Sequence, residues 1–307
     1  MVPAGDGTLR PMPGGGPFNT ARSLGRLDVP TSFLGRLSTD PFGRLLAGKL
    51  AEDAVDLSLT SHGPEPTTLA VAELNSDGRA AYQFYSRGTS APNLTPAMLP
   101  TGFEPDVTAL HVGTLGLVLE PMASTLAELV ARESANRVVM LDPNIRPAIL
   151  KTSSAYRGRI NSVIEQSTIV KASDADVGWL YPGLELEAAA GQILAAGARL
   201  VVVTLGAQGA FGMSQGVLVR VPAPAVDVVD TIGAGDAFGA ALLAWLHDHN
   251  ALTTDLGLSP GQLESALEFA CLAASLTCTR AGAEPPWRKE VVGGAGAAAK
   301  GIDVPRR

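Results

Sequence analysis

An open α/β sheet with a small β-rich piece near its N-terminal end is the fold class this sequence predicts, and three observations predict it. From Val107 onward, short apolar runs alternate with longer Ala/Leu-rich helical stretches, the texture of repeated βαβ units. Leu200-Val201-Val202-Val203 is apolar without interruption, as a parallel strand covered on both faces must be. Upstream, the runs at residues 67–74 and 80–85 are joined by Asn75-Ser76-Asp77-Gly78, which reads as a hairpin with a Gly-containing turn.

The elements follow in order. The first seventeen residues are rich in Gly and Pro, and then Ala21, Leu24 and Leu27 fall on one helical face, with Asn19 or Thr20 near the N-cap. Residues 31–37 read as a strand. In residues 41–53, Phe42, Leu45, Leu46 and Leu50 recur at helical spacing. That periodicity settles Gly43-x4-Gly48-Lys49 as part of an amphipathic helix, since Leu50 stands where a P-loop needs Ser or Thr for magnesium. Strands are expected at 109–112, 138–141, 167–171 and 200–204, with helices at 121–133, 154–165 and 186–196. The helices at 237–247 and 262–277 are apolar enough to pack deeply, and the Gly/Ala-rich stretch 291–300 is expected to be poorly ordered. Residues 1–307 are read as one domain.

Composition bounds the function. The chain has 307 residues, 46% hydrophobic, with a net charge of −7, so it is long enough for a core without disulfides or structural metal. The acidic balance and the lack of any basic cluster argue against a nucleic-acid partner. The longest nearly uncharged apolar stretch, 237–246, is about half of what a membrane-spanning helix needs, and no signal peptide is recognised, so no membrane partner is expected. Cys271 and Cys278, on one helical face about 10 Å apart, are too distant for a disulfide and read as reduced thiols in a cytoplasmic protein.

One motif carries chemistry. Asp230-Thr231-Ile232-Gly233-Ala234-Gly235-Asp236 opens directly into the helical run that follows. Small residues let the backbone approach a ligand closely, and a helix N-terminus aims N–H groups and partial positive charge at an anion, most naturally a transferring phosphoryl group. A carboxylate there is electrostatically wasteful unless it removes a proton, which makes Asp236 a candidate general base; the alternative is a first-turn Asp that complements the helix dipole. Gly233-x-Gly235-x-x-x-Gly239 misses the dinucleotide fingerprint spacing. Gly14-Gly15-Gly16 before a helix suits a polar ligand only weakly. His247-Asp248-His249 lacks a third zinc ligand and reads as solvated surface, while His111 in an apolar strand reads as a satisfied core residue.

Several segments, in order and spacing, resemble the PfkB (ribokinase-like) carbohydrate kinases, in their fructokinase-like branch. Besides 230–236, these are Pro13-Gly14-Gly15-Gly16-Pro17-Phe18-Asn19, the stretch from Gly35 through Gly43, Leu141-Asp142-Pro143-Asn144-Ile145-Arg146-Pro147, and Val203-Thr204-Leu205-Gly206-Ala207-Gln208-Gly209-Ala210; the similarity covers about residues 8–288. The resemblance implies a ribokinase-like sheet with a β lid at about 6–14 and 65–90, ATP and Mg2+ as cofactors, and a small sugar as substrate. It implies that Asp236 is the base and that the N–H groups of Gly233, Ala234 and Gly235 stabilise the γ-phosphoryl charge. Gly14, Gly15, Asn19, Asn144 and Arg146 would bind the sugar, with Tyr85, beside Phe84 and Arg87, as a lid contact. Ser173, Thr204, Gly206, Gly209 and Cys271 would line the nucleotide site. Asp230, with carbonyls of Ile232, Thr277, Arg280 and Gly282, matches a monovalent-cation (K+) site, and Asp176 a magnesium-associated position.

Ser173 and Asp176 stand where many members have Asn and Glu. Members also usually open with a strand bearing a Gly-Glu pair and a sugar-gripping Asp, for which Asp6 is a poor substitute by position, so the expectation is a chain without that first strand. Fructose is the expected substrate. The alternatives are 2-keto-3-deoxygluconate, whose carboxylate Arg146 would meet, and a catalytically impaired ligand-binding pseudokinase. A lid-mediated homodimer is known in the family.

Overall fold

The computed structural model describes residues 1–3, 8–74, 80–150 and 153–298. Its first part comprises β1 (Val2–Pro3), β2 (Leu9–Arg10), α1 (Gly16–Arg26), β3 (Gly35–Ser38), α2 (Pro41–Glu52), β4 (Thr60–Gly63), β5 (Leu69–Leu74) and β6 (Ala80–Tyr85). The alternating part follows as β7 (Ala109–Gly113), α3 (Met122–Glu133), β8 (Val138–Asp142), α4 (Ser153–Glu165), β9 (Ile169–Ser173), α5 (Asp174–Leu180), α6 (Leu186–Ala196) and β10 (Leu200–Thr204). A hairpin, β11 (Ala210–Ser214) and β12 (Val217–Val221), precedes α7 (Ala234–Asp248), α8 (Pro260–Cys278) and α9 (Arg288–Ala298).

Six strands form one sheet in the order β12-β11-β10-β9-β8-β7, with β7 through β10 parallel and the hairpin antiparallel at one edge. Alternation sorts the side chains of each strand to two faces. Val138, Met140, Leu200 and Val202 pack against α7 and α8 through Leu242, Leu246, Leu263 and Leu267. Val139, Leu141, Val201 and Val203 pack against α4 and α6 through Ile160, Ile164 and Ile193. Each of these fully buried aliphatic side chains contributes about 1.5–3 kcal/mol of transfer free energy.

A third cluster, Phe18, Ala21, Leu37, Leu50 and Val55, joins α1, α2 and the two-stranded parallel pair β3–β4. Asp40 caps α2 by accepting from the N–H of Gly43 at 2.7 Å, so the P-loop-like glycines do lie in a helix. A Cβ on Gly43 would meet the Ser38 carbonyl oxygen at 1.9 Å, which explains that glycine without a ligand.

The opposite edge of the large sheet is β7. One cleft of about 2150 Å³ is lined by every residue from Phe33 to Ser38 and by every residue from Thr108 to Gly113. A cavity over a strand's face meets alternate residues, whereas one along its edge meets them all. The cleft therefore runs between the outer edges of β3 and β7 before it widens at the carboxyl ends of the large sheet's parallel strands, where open α/β sheets place their ligands.

Several expectations are corrected. Helix α1 begins at Gly16 with Gly15 as N-cap and Pro17 in the first turn, so Asn19 and Thr20 lie inside the helix. The strand read at 31–37 is regular only from Gly35, after an isolated bridge between Ser32 and Asp56. Strand β9 begins two residues later than read, because Ser167 and Thr168 finish the turn out of α4 through hydrogen bonds to Val163 and Val139. Residues 291–298 are helical, with Val291 fully buried as the docking residue, while 299–300 lie outside the described residues. Strand β2 and the antiparallel pair β5–β6 fall within the regions expected to form the lid, and β1, which pairs with β2, lies just upstream of them. Asp6 and the turn 75–78 lie outside the described residues.

Candidate active site

Two helix N-termini converge at the wide end of the cleft. Gly15, at φ 133, turns the chain into α1, and Gly16 lies so close to Thr114 that a Cβ would fall 2.4 Å from its Oγ1 and 3.4 Å from Asp236 Oδ1. Asn19 is thereby aimed at α7, and its Nδ2 donates to Asp236 Oδ2 at 2.8 Å. Asn19 Oδ1 is buried without a partner, an acceptor that a substrate hydroxyl would satisfy.

Asp236 sits in the first turn of α7 and is buried. The N-cap is Gly233, at φ 80 and with no capping side chain, so the Asp236 carboxylate is held by Asn19 and does not cap its own helix. Burial, reinforced by the charge of Asp142, pushes the Asp236 carboxyl up to about 6, against the opposing effects of the Asn19 hydrogen bond and the charges of Lys171 and Arg146. A buried carboxyl poised near neutrality suits proton abstraction. Among the described residues, the N–H groups of Gly233, Gly235 and Asp236 find no acceptor outside their helix, whereas Ala234 N–H turns onto the Thr231 carbonyl at 3.3 Å. The open donor set is thus Gly233, Gly235 and Asp236, with Ala234 spent on the turn.

Behind this turn, Lys171 Nζ meets Asp142 Oδ2 at 2.9 Å, with both side chains buried. Burial pulls the Lys171 ammonium down, but Asp142, with Asp236 and Asp176, more than reverses this and holds it above its ordinary value. His111 is half-buried beside them, its Nε2 shielded and unpartnered, and desolvation pushes it down to about 4, so it is neutral and not the satisfied core residue expected.

Other expected residues are sorted by the structure. Asn144, at φ 40, and exposed Arg146 line the cleft on the loop after β8. Thr204, Gly206 and Gly209 line it after β10; Gly209, at φ 93, would put a Cβ 2.0 Å from the Val221 carbonyl oxygen. Gly14, Ser173 and Cys271 also line it, and the buried Cys271 thiol, pushed up to about 11 chiefly by burial, is inert. Tyr85 does not line the cleft: it is 58% exposed, and strand alternation gives that position to Phe84.

Both carboxylate oxygens of Asp176 are engaged within the protein: Oδ1 accepts from Ile145 N–H at 2.7 Å and Oδ2 from the backbone and hydroxyl of Ser173. Asp176 fixes the loop that carries Asn144 and Arg146. Asp230 accepts from the N–H groups of Ile232 at 3.0 Å and Gly282 at 2.8 Å, a clasp between the loops before α7 and after α8. Of the carbonyls expected around a cation there, that of Thr277 already accepts from Arg280 N–H and that of Gly282 from Glu284 N–H. Among the described residues, no group of three His, Cys, Asp or Glu is placed to hold a metal ion, and no helix is long and apolar enough to cross a membrane.

An α/β sheet of this ribokinase-like order, with a buried carboxylate and open N–H donors at one helix terminus, defines a phosphotransferase. The family model described as pfkB family carbohydrate kinase matches residues 6–290, and the chain belongs to that family: it is a carbohydrate kinase, with an alcohol group as phosphoryl acceptor. Fructokinase from Rhizobium leguminosarum bv. trifolii is 42% identical over 249 residues, 81% of this chain and 76% of that protein. Fructokinase-1 from Oryza sativa subsp. japonica is 32% identical over 284 residues, 91% of this chain and 86% of that one. The crystal structure of fructokinase from Vibrio cholerae O395 in its fructose, ADP and calcium ion bound form matches with a TM-score of 0.81 at 27% identity, over 92% of this chain and 90% of that one.

Proposed function

We propose that this carbohydrate kinase transfers the γ-phosphoryl group of ATP to a hydroxyl of fructose, with Asp236 as general base. The observation that carries the assignment of the base is the Asp236 carboxylate, buried at the cleft and held by Asn19 while the first turn of α7 stays uncapped. Relatives at 42% and 32% identity that are fructokinases support the sugar. The acceptor hydroxyl gives its proton to Asp236 as its oxygen bonds to phosphorus, and the bond from phosphorus to the ADP oxygen breaks. Asn19 Nδ2 orients the base while its free Oδ1 accepts from a second hydroxyl. The N–H groups of Gly233, Gly235 and Asp236 meet the charge on the transferring group.

The cleft fits a nucleotide. Thr204 and Gly206 lie on its wall with Val228, an apolar side chain 62% exposed in the loop before α7 and a natural surface for a base. A magnesium ion carried on the phosphate oxygens would neutralise their charge and needs no protein cage. Asp174, exposed on the cleft wall, is the carboxylate we assign to its water shell.

Arg146 favours a second reading, 2-keto-3-deoxygluconate, because its exposed guanidinium on the cleft wall bonds only carbonyls of its own loop and is available to a carboxylate. ADP release from ATP and magnesium, measured against fructose, ribose, 2-keto-3-deoxygluconate and adenosine, decides between them. The expected result is turnover of fructose that Asp236→Asn abolishes. Preference for the sugar acid would install the second reading, and ATP binding without turnover of any of the four would leave a ligand-binding pseudokinase.

A further inference from the structure

Lys171, in the middle of β9, and Asp142, the last residue of β8, are brought side by side by the parallel register that pairs Leu141 with Val170. Both side chains are at most 5% exposed, and their contact is 2.9 Å. A buried ion pair with no further task is a poor way to stabilise a sheet, because desolvation offsets its attraction unless every lone pair is satisfied. Here Asp142 Oδ1 has no donor.

The ammonium is also on the wrong side of a helix. A Cβ on Gly235 would lie 3.0 Å from Lys171 Nζ, so the cation sits against the first turn of α7, where the helix dipole is already positive. Such a placement is unfavourable unless the cation answers anions; Asp142 is the one it touches, and Asp236, the residue after Gly235, is the second carboxylate whose charge acts on it. The charged and titratable groups around Asp236 are Asp142 and Lys171 from the sheet, Arg146 from the loop after β8, His111 from β7 and, beyond Lys171, Asp176 from α5; α1 contributes only neutral Asn19. His111 is neutral and Arg146 is exposed, which leaves Lys171, packed against Gly235, as the buried cation whose charge acts on the base.

We propose that Lys171 is a positioning residue for the kinase reaction, holding Asp236 ionised in its buried seat, and that Asp142 opposes it. This rests on the reading of Asp236 as general base and goes beyond it by assigning what sets that base's working pH. The charges act in these directions: Asp142 favours the protonated form of Asp236 and Lys171 the ionised form.

The test is the pH dependence of kcat/KM for fructose at saturating ATP, in the full chain and in Lys171→Met and Asp142→Asn. Lys171→Met should move the acid limb up by about one unit or more, as expected for loss of a close charge, and Asp142→Asn should move it down. The KM for ATP should stay within about twofold in both, as expected if the pair acts on the base and not on ATP binding. A merely structural pair would lower expression or melting temperature in both variants without moving the limb in opposite directions. Superimposable limbs, or a loss of ATP affinity in Lys171→Met that marks a direct phosphate contact, would overturn the proposal. If Lys171→Met does not fold, Asp142→Asn alone decides by the direction of its shift. Asp236→Asn run in parallel separates the two claims: if it retains activity the base assignment fails, whereas if it is inactive and the limbs do not move only the role of Lys171 fails.

Discussion

Asn19 and Asp236 are 217 residues apart in sequence and joined by a 2.8 Å hydrogen bond, buried, between the first turns of two helices. A hydrogen bond to a charged group contributes roughly 1.5–3 kcal/mol, so Asn19→Ala should lower kcat/KM for the sugar by about 10- to 100-fold. Loss of that donor also favours the protonated acid, and the acid limb should rise. Steady-state kinetics across pH check both effects.

With its carboxyl near 6, Asp236 must lose a proton before it can accept one, so kcat/KM should fall as pH drops through about 6 and level above it. The same shift acts on stability with a definite sign. The folded-state value lies above the unfolded one, so the fold favours the protonated form; the penalty is absent below about 4 and complete above about 6. Asp236→Asn should therefore be inactive yet more stable than the parent at pH 7.5, on the order of 1–3 kcal/mol in a urea titration, with the difference vanishing near pH 4.

Gly16 admits a repair experiment. Its substitution by Ala drives a methyl into Thr114 Oγ1, 2.4 Å away, so that the Thr114 hydroxyl or α1 with Asn19 has to shift, at a cost of about 1–3 kcal/mol. Thr114→Ala removes that oxygen and leaves the Thr114 Cβ at an ordinary 3.4 Å. The double variant should regain at least part of the activity that Gly16→Ala loses, measured as kcat with fructose.

Arg22 is a stability residue beneath the site. It is 1% exposed, contacts Asp53 at 2.6 Å and reaches the Ala283 carbonyl at 3.1 Å. Arg22→Met should cost about 3 kcal/mol, the low end for breaking a buried pair, because Arg26 still meets Asp53. Chemical denaturation with an unchanged denaturant slope is the check.

Much of this was readable from the chain. The parallel strands announced themselves as unbroken apolar runs, and Asp236 stood out because a carboxylate at an anion-binding helix terminus demands a reason. Lys171 did not stand out: a lone charge at the end of an apolar run reads as a strand terminus, and only the register of β8 against β9 reveals its burial and partner. The hairpin of β11 and β12 was missed although Gln215-Gly216, with Gly216 at φ 76, is a two-residue turn of the expected kind. Helix α5 escaped because its signal is a capping box, Ser173 with Asp176, and not a periodicity. Strand β4, Thr-Ser-His-Gly, offers no apolar alternation at all.

The cleft along the edge of β7 has a thermodynamic corollary. Among the described residues, no backbone ladder crosses from β3 and β4 to the large sheet. Instead α1 packs on α7, and Arg22, Arg26 and Arg288 stitch it to the segment after α8, through the carbonyls of Ala283 and Pro285 and, in return, of Leu27. Side-chain ties and apolar packing through Leu24 and Leu27 open more readily than a continuous sheet, so the first quarter of the chain should behave as its own cooperative unit in native-state exchange. Asn19 belongs to that unit and Asp236 to the other. A sugar gripped by both is then a clamp across the seam, and part of its binding energy is stored as protection of amides that it never touches.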